Sequence, residues 1–185
     1  MHEIIPAVLA HTGEEMSEQL AALPSDVTFF HMDVLEEDLW VPTEKDFEVH
    51  LMVRNPDALI DEWIERGAKR LSMHSVGPSL AGHREKAEIG LAVVLQKPLA
   101  EVLPFLDFVD YVHLMSIAEI GEQGHVLDER IFDRIKEVRE KFPNLTISVD
   151  GGINLTNYKR LLDAGANRLV VGSGFHDLWD SLKTK

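Results

Sequence analysis

Cysteine is absent from the 185 residues, so no disulfide framework, thiolate nucleophile or thiolate metal site is available. Any ion held by this chain must sit on His, Asp or Glu. Long apolar runs are also missing. No stretch approaches the roughly 18 consecutive apolar residues of a membrane helix, and the opening Met1-His2-Glu3-Ile4-Ile5-Pro6 has no basic start of the secretory kind. The expectation is a cytoplasmic protein with no membrane partner. Positive charge is scarce: 18 basic against 32 acidic residues give a formal net charge of −14. That balance argues against nucleic acid as a partner, because a phosphate backbone needs basic patches. What is present is 45% hydrophobic content over a length that suits one globular domain, residues 1–185.

Short apolar runs recur along the chain, separated by helical or loop patterns. Ile4 to Ala10 reads as a strand, and Thr12-Gly13-Glu14-Glu15 opens a helix to about Leu23 with a capping residue and first-turn acids. Further strands are expected at Val27–Val34, Phe47–Val53, Arg70–Val76, Gly90–Gln96, Val109–Met115, Thr146–Val149 and Arg168–Val171. Asn55-Pro56-Asp57 is expected to cap a helix carrying Leu59, Ile60, Trp63 and Ile64 that Gly67 ends, and a brief helix follows at about Ala100–Phe105. Asp128–Phe142 has helical periodicity with Ile131, Ile135 and Val138 inward, a further helix runs from about Thr156 to Ala164, and a polar helix starts near His176. Leu35–Asp46 is acidic, contains Pro42 and reads as loop. Eight strands alternating with helical connections predict an α/β fold, a (β/α)₈ TIM barrel, shortened because the helix after strand 2 is largely missing.

Chemistry collects where these strands end. His31 and Asp33 are two residues apart on a strand and therefore share a face. An imidazole and a carboxylate at the end of an apolar strand are costly to bury unless a metal, a proton partner or a substrate offsets the desolvation. Two more strands end on His50 and Asp150, and in this fold the active site lies at the strands' C-terminal ends. His31, Asp33, His50 and Asp150 can share one divalent ion; two imidazoles and two carboxylates suit zinc, iron, manganese or cobalt. Gly151-Gly152 after strand 7 and Gly172-Ser173-Gly174 after strand 8 stand where barrels of this type bind phosphate. His74 and His113 are near other strand ends and read as packing or substrate contacts, while His11 and His125 read as loop residues.

The segments His31-Met32-Asp33-Val34, Val49-His50-Leu51-Met52, Val149-Asp150-Gly151-Gly152-Ile153-Asn154 and Val171-Gly172-Ser173 resemble ribulose-phosphate 3-epimerase, in that family's order and through most of the chain. The resemblance implies a metal-dependent isomerase acting on a small-molecule sugar phosphate, interconverting ribulose 5-phosphate and xylulose 5-phosphate in the pentose phosphate pathway. It maps metal ligands onto His31, Asp33, His50 and Asp150, the paired acid and base onto Asp33 and Asp150, phosphate contacts onto Gly151, Gly152, Gly172 and Ser173, and pocket-lining methionines onto Met52 and Met115. Inverting a carbon beside a ketone requires proton removal from one face and return to the other through an enediolate, which suits two carboxylates from separate strands.

The chain departs from the family's pattern at four places. Ala7 stands where the family has a serine after proline, Leu35–Trp40 replaces a short Asp-Gly-His turn, Val94 stands where an asparagine is expected, and Ser116–Glu122 replaces a glycine-rich phosphate loop and brings in Glu119 and Glu122. Two other readings follow: another isomerase or lyase of the same barrel superfamily, or a binding protein that keeps the ion without turnover. The missing helix also predicts assembly. A barrel strand left bare would show apolar surface, which Leu39, Trp40 and Val41 or a second subunit must cover, and the tryptophan points to a homodimer or higher homo-oligomer.

Overall fold

A computed structural model describes residues 2–35, 39–75, 82–118 and 121–184. Eight parallel strands close into a barrel in sequential order, β1 pairing with β2 and, on its other side, with β8. The strands are β1 (Glu3–Val8), β2 (Phe29–Val34), β3 (Asp46–Leu51), β4 (Arg70–Met73), β5 (Glu88–Val93), β6 (Tyr111–Met115), β7 (Thr146–Asp150) and β8 (Arg168–Val171). The helices are α1 (Gly13–Ala22), α2 (Ile60–Glu65), α3 (Arg130–Lys141), α4 (Tyr158–Ala164) and α5 (Phe175–Lys183). The (β/α)₈ expectation is met, and no helix separates β2 from β3 among the described residues.

Local chemistry explains most of the elements. Thr12 accepts a hydrogen bond from Glu15 N at 3.1 Å and starts α1 as a capping residue should. On α3 the inward stripe of Ile131, Ile135 and Val138 is fully buried, each side chain contributing about 1.5–3 kcal/mol. Three connections differ from expectation. Asn55 makes no side-chain cap, and Pro56–Ala58 forms a 3₁₀ turn before α2, which is held by buried Ile60 and Trp63. Between β5 and β6 two 3₁₀ segments, Leu99–Glu101 and Leu103–Phe108, replace the expected α-helix, with Pro104 at the start of the second. The last helix is amphipathic and not merely polar: Phe175 and Leu178 are buried, and Trp179 stacks on Phe175 at 5.3 Å between ring centroids.

The gap after β2 is closed from within. Trp40 packs its ring 5.0 Å from that of Phe47 on β3 and edge-on at 5.5 Å to Trp63 of α2, with the Arg66 guanidinium 4.6 Å over the Trp63 ring. The apolar surface that would have called for a second subunit here is therefore covered by the chain's own loop.

The barrel's interior is polar, where many barrels are filled by branched aliphatics. At the N-terminal end of the strands, Arg70 Nη1 lies 2.9 Å from Glu3 and 3.1 Å from Glu48, and Arg168 Nη2 lies 2.8 Å from Glu88. Contacts such as β4 to β1 and β8 to β5 join strands that are not neighbours, so these side chains must point into the barrel. Tyr111, 1% exposed, fills the space above, where the Arg168 guanidinium sits 5.2 Å from its ring. The apolar core lies outside the barrel, in two clusters between strands and helices.

Candidate active site

Higher in the barrel, four imidazoles and three carboxylates crowd together. Register places His31 of β2 opposite Glu48 of β3, and Asp33 opposite His50. Because alternate residues of a strand share a face, both pairs point inward. His31 Nδ1 is 2.8 Å from Glu48 Oε1, and Asp33 Oδ1 is 3.4 Å from both His31 Nε2 and His50 Nδ1. From the far side, His113 of β6 brings Nε2 to 3.3 Å from Asp150 Oδ2. His74 places its Nε2 2.9 Å from His50 Nε2. His31, His50 and His113 are at most 1% exposed.

The charges on these groups follow from burial and from each other. Burial alone would depress the His31 pKa, yet hydrogen bonds with Asp33 and Glu48 raise it well above the ordinary 6.5. Burial would raise Asp33, and the adjacent imidazoles of His31 and His50 overcome it and hold the carboxyl well below the usual range. Glu48 is lowered to about 2 against the pull of burial, by His31 and then Arg70. Burial pushes His113 and His74 each down to about 3, so both are neutral. Asp150 moves the other way. Burial, and then the negative charge of Asp33, pushes it up to about 7. Two carboxylates of one site thus have opposite protonation tendencies, as a paired acid and base require.

The donor chemistry fits a divalent ion. One ligand atom each from His31, His50, His113 and Asp150 lies within 4.8 Å of the others, and Asp33 adjoins two of them. His50 Nδ1 and His113 Nδ1 are buried nitrogens with no hydrogen-bond partner, which is costly unless something else engages them.

Above the cluster opens a cavity of about 460 Å³. Asp33 and Asp150 stand at its floor, and Met52, Met115, Gly151, Gly152, Gly172 and Ser173 line it. All ten residues read from the sequence are therefore brought to one place, six around the cavity, two carboxylates at its floor and two histidines beneath. Ala7 also lines it, as does Glu122; Glu119 lies outside the described residues. Gly151 and Gly152 have φ of +111° and +67°, and a Cβ on Gly152 would lie 2.3 Å from Leu127 N, so the pair is dictated by backbone approach as well as by any anion. Ser116 Oγ donates to Asp150 O at 2.8 Å and fixes the end of β7. Sequence reasoning missed Arg160, Asn154 and Asn157 on the cavity wall and Glu48 behind His31.

The model of the ribulose-phosphate 3 epimerase family matches residues 3–176. The chain belongs to the ribulose-phosphate 3-epimerase family. Its named members are epimerases, a class of isomerase. The ribulose-phosphate 3-epimerase of Schizosaccharomyces pombe is 31% identical over 137 residues, 70% of this chain and 60% of that protein, so the chain spans less than two thirds of that relative. The Aquifex aeolicus ribulose-phosphate 3-epimerase is 30% identical over 200 residues, covering 94% of this chain and 89% of the relative. Among solved structures, KGPDC from Streptococcus mutans superposes with a TM-score of 0.69 at 11% identity over 99% of this chain and 96% of that one, a likeness of fold. No helix among the described residues is long and apolar enough to cross a membrane.

Proposed function

We propose that the protein is a metal-dependent epimerase that interconverts ribulose 5-phosphate and xylulose 5-phosphate or a related ketose phosphate. The observation that carries the reading is the pairing of Asp33 and Asp150 at one cavity floor, from β2 and β7 with β1 and β8 between them, one carboxyl held low and the other raised. Asp33, ionised, accepts the proton from the carbon beside the ketone. Asp150, protonated, returns one to the other face, and the two exchange roles in the reverse direction. His31 and His50 flank Asp33, each with a ring nitrogen 3.4 Å from its Oδ1, and fix its place at the floor. A divalent ion held by His31, Asp33, His50 and Asp150 would supply positive charge to the enediolate oxygens. Met52 and Met115 shape the wall beside the reacting carbons, and the backbone at Gly151, Gly152, Gly172 and Ser173 receives the phosphate. Ala7 and Glu122 on the wall favour a related ketose phosphate as an alternative to ribulose 5-phosphate itself.

The test follows the substrate's C3 proton by NMR in deuterated water with ribulose 5-phosphate and added zinc, iron, manganese or cobalt. Loss of the C3 proton signal together with appearance of xylulose 5-phosphate is expected, and Asp33→Asn and Asp150→Asn should each abolish inversion. Turnover near wild type in both amides would overturn the two-carboxylate mechanism. Metal retention without any exchange would mark a binding protein.

A further inference from the structure

We propose that His113 is a third imidazole ligand of the divalent ion, so that the centre is built from three histidines with Asp33 and Asp150 and favours zinc-like ions over manganese. The proposal rests on the reading of this cluster as a metal centre.

The starting point is a residue type that packing does not explain. On Tyr111-Val112-His113-Leu114-Met115 the alternate positions Tyr111, His113 and Met115 face inward, and His113 is 0% exposed. An aliphatic side chain would fill that place with nothing left unpaired. The imidazole instead leaves Nδ1 buried without a partner, and its Nε2 lies 3.3 Å from Asp150 Oδ2. β6 stands across the barrel from β2, yet the His113 ring lies 5.3 Å from that of His31, nearly parallel at 9°, and 4.8 Å from that of His50. The side chain therefore reaches the axis of the barrel, where the other two imidazoles converge.

The neighbours leave the right nitrogens available. His31 donates Nδ1–H to Glu48, so that an ion displacing the proton on Nε2 finds its lone pair on the side of Asp33. His50 meets His74 through Nε2 at 2.9 Å; with His74 accepting, the His50 lone pair is on Nδ1, again on the side of Asp33. His74 is thereby a positioning residue and not a ligand. A tetrahedral shell with bonds of about 2.0–2.2 Å holds its ligand atoms roughly 3.3–3.6 Å apart. The atoms offered by His31, His50, His113 and Asp150 already lie within 4.8 Å of one another, so the widest separation need shrink by only about 1.2–1.5 Å to close the shell, with Asp33 as a further oxygen. Nitrogen-rich sets suit zinc, iron and cobalt, whereas oxygen sets suit manganese and magnesium. A third imidazole therefore moves the preference of the centre.

X-ray absorption at the zinc edge of the wild-type protein counts the imidazoles directly. Three are expected; two would overturn the proposal while leaving the metal-dependent reading intact, and a protein that takes up no divalent ion would sink both. Competition titrations of zinc and manganese against a chelator give the second readout. His113→Leu should weaken zinc at least 10-fold and manganese far less, lowering the zinc-to-manganese affinity ratio. An unchanged ratio in a folded variant would show that His113 merely packs against the centre. Should His113→Leu fail to fold, the wild-type imidazole count decides alone.

Discussion

Glu48 Oε1 accepts a hydrogen bond from His31 Nδ1 at 2.8 Å while Oε2 of the same carboxylate meets Arg70 Nη1 at 3.1 Å. The imidazole is thereby held in one orientation, with Nε2 turned toward Asp33. Outer partners of this kind commonly change metal affinity by about 10–100-fold. Glu48→Gln should weaken zinc binding within that range in chelator competition, with the circular dichroism spectrum of the fold retained. Wild-type affinity in the variant would mean that Glu48 serves only to balance Arg70.

The same pair gives a pH signature to the chelator-treated protein. Glu48 is lowered from 4.5 to about 2, so its contribution to stability is present above 4.5 and is lost as pH falls toward 2. The His31 pKa is raised, so its contribution is present below 6.5 and is lost as pH rises through the raised value. Both are complete between 4.5 and 6.5. Urea unfolding of wild type and Glu48→Gln should therefore differ most near pH 5.5 and less as pH falls toward 2 or rises through the raised His31 value; a constant difference would refute the linkage.

Gly90 gives the Tyr111 ring its space. A Cβ there would lie 2.3 Å from the ring's Cζ and 2.5 Å from Cε2, inside a barrel with no room to shift. Gly90→Ala should cost about 1–3 kcal/mol by overpacking, read as a lower urea midpoint at unchanged m-value. An unchanged midpoint would show that Tyr111 rearranges freely.

Trp40 replaces a helix layer with one ring, half-buried against Phe47 and Trp63. Trp40→Ala should lose about 2–3 kcal/mol, below the range of a fully buried tryptophan. Sedimentation at micromolar concentration should show the same species for both proteins, because the ring is engaged within the chain. A shift of species in the variant would return Trp40 to a subunit interface.

Removing the ion should also be visible in stability. A ligand at 100 times its dissociation constant stabilises by about 2.7 kcal/mol, so chelation should lower the melting temperature and zinc restore it. His50→Ala should show a low melting temperature that zinc does not raise.

The clustering of histidines and carboxylates at the strand ends is legible in the sequence because alternation is local: His31 with Asp33 needs only a period of two. The same rule reaches Glu48, two residues before His50, once the inward face of β3 is known. His113 reads from the sequence as packing or a substrate contact, and its meeting with His31 depends on barrel closure, which no local spacing encodes. The helix α3 was legible from Ile131, Ile135 and Val138. The 3₁₀ segments before β6 were not, since Leu99, Val102 and Leu106 are spaced as a helix would space them while Pro104 favours a tighter turn. Trp40 reads as an interface residue because it is a tryptophan in an acidic loop, and its contacts with Phe47 on a strand and Trp63 on a helix are not encoded by local spacing.

The charged floor has a consequence for how a substrate arrives. Three carboxylates, Glu3, Glu48 and Glu88, face the guanidiniums of Arg70 and Arg168 and the His31 imidazole, so charge at the N-terminal end of the barrel is paired, while Asp33 and Asp150 stand at the open end. The barrel is thus a vessel with a polarity along its axis. A ligand entering from the open end meets Asp33 and Asp150 first and finds the depth of the barrel already filled by paired side chains.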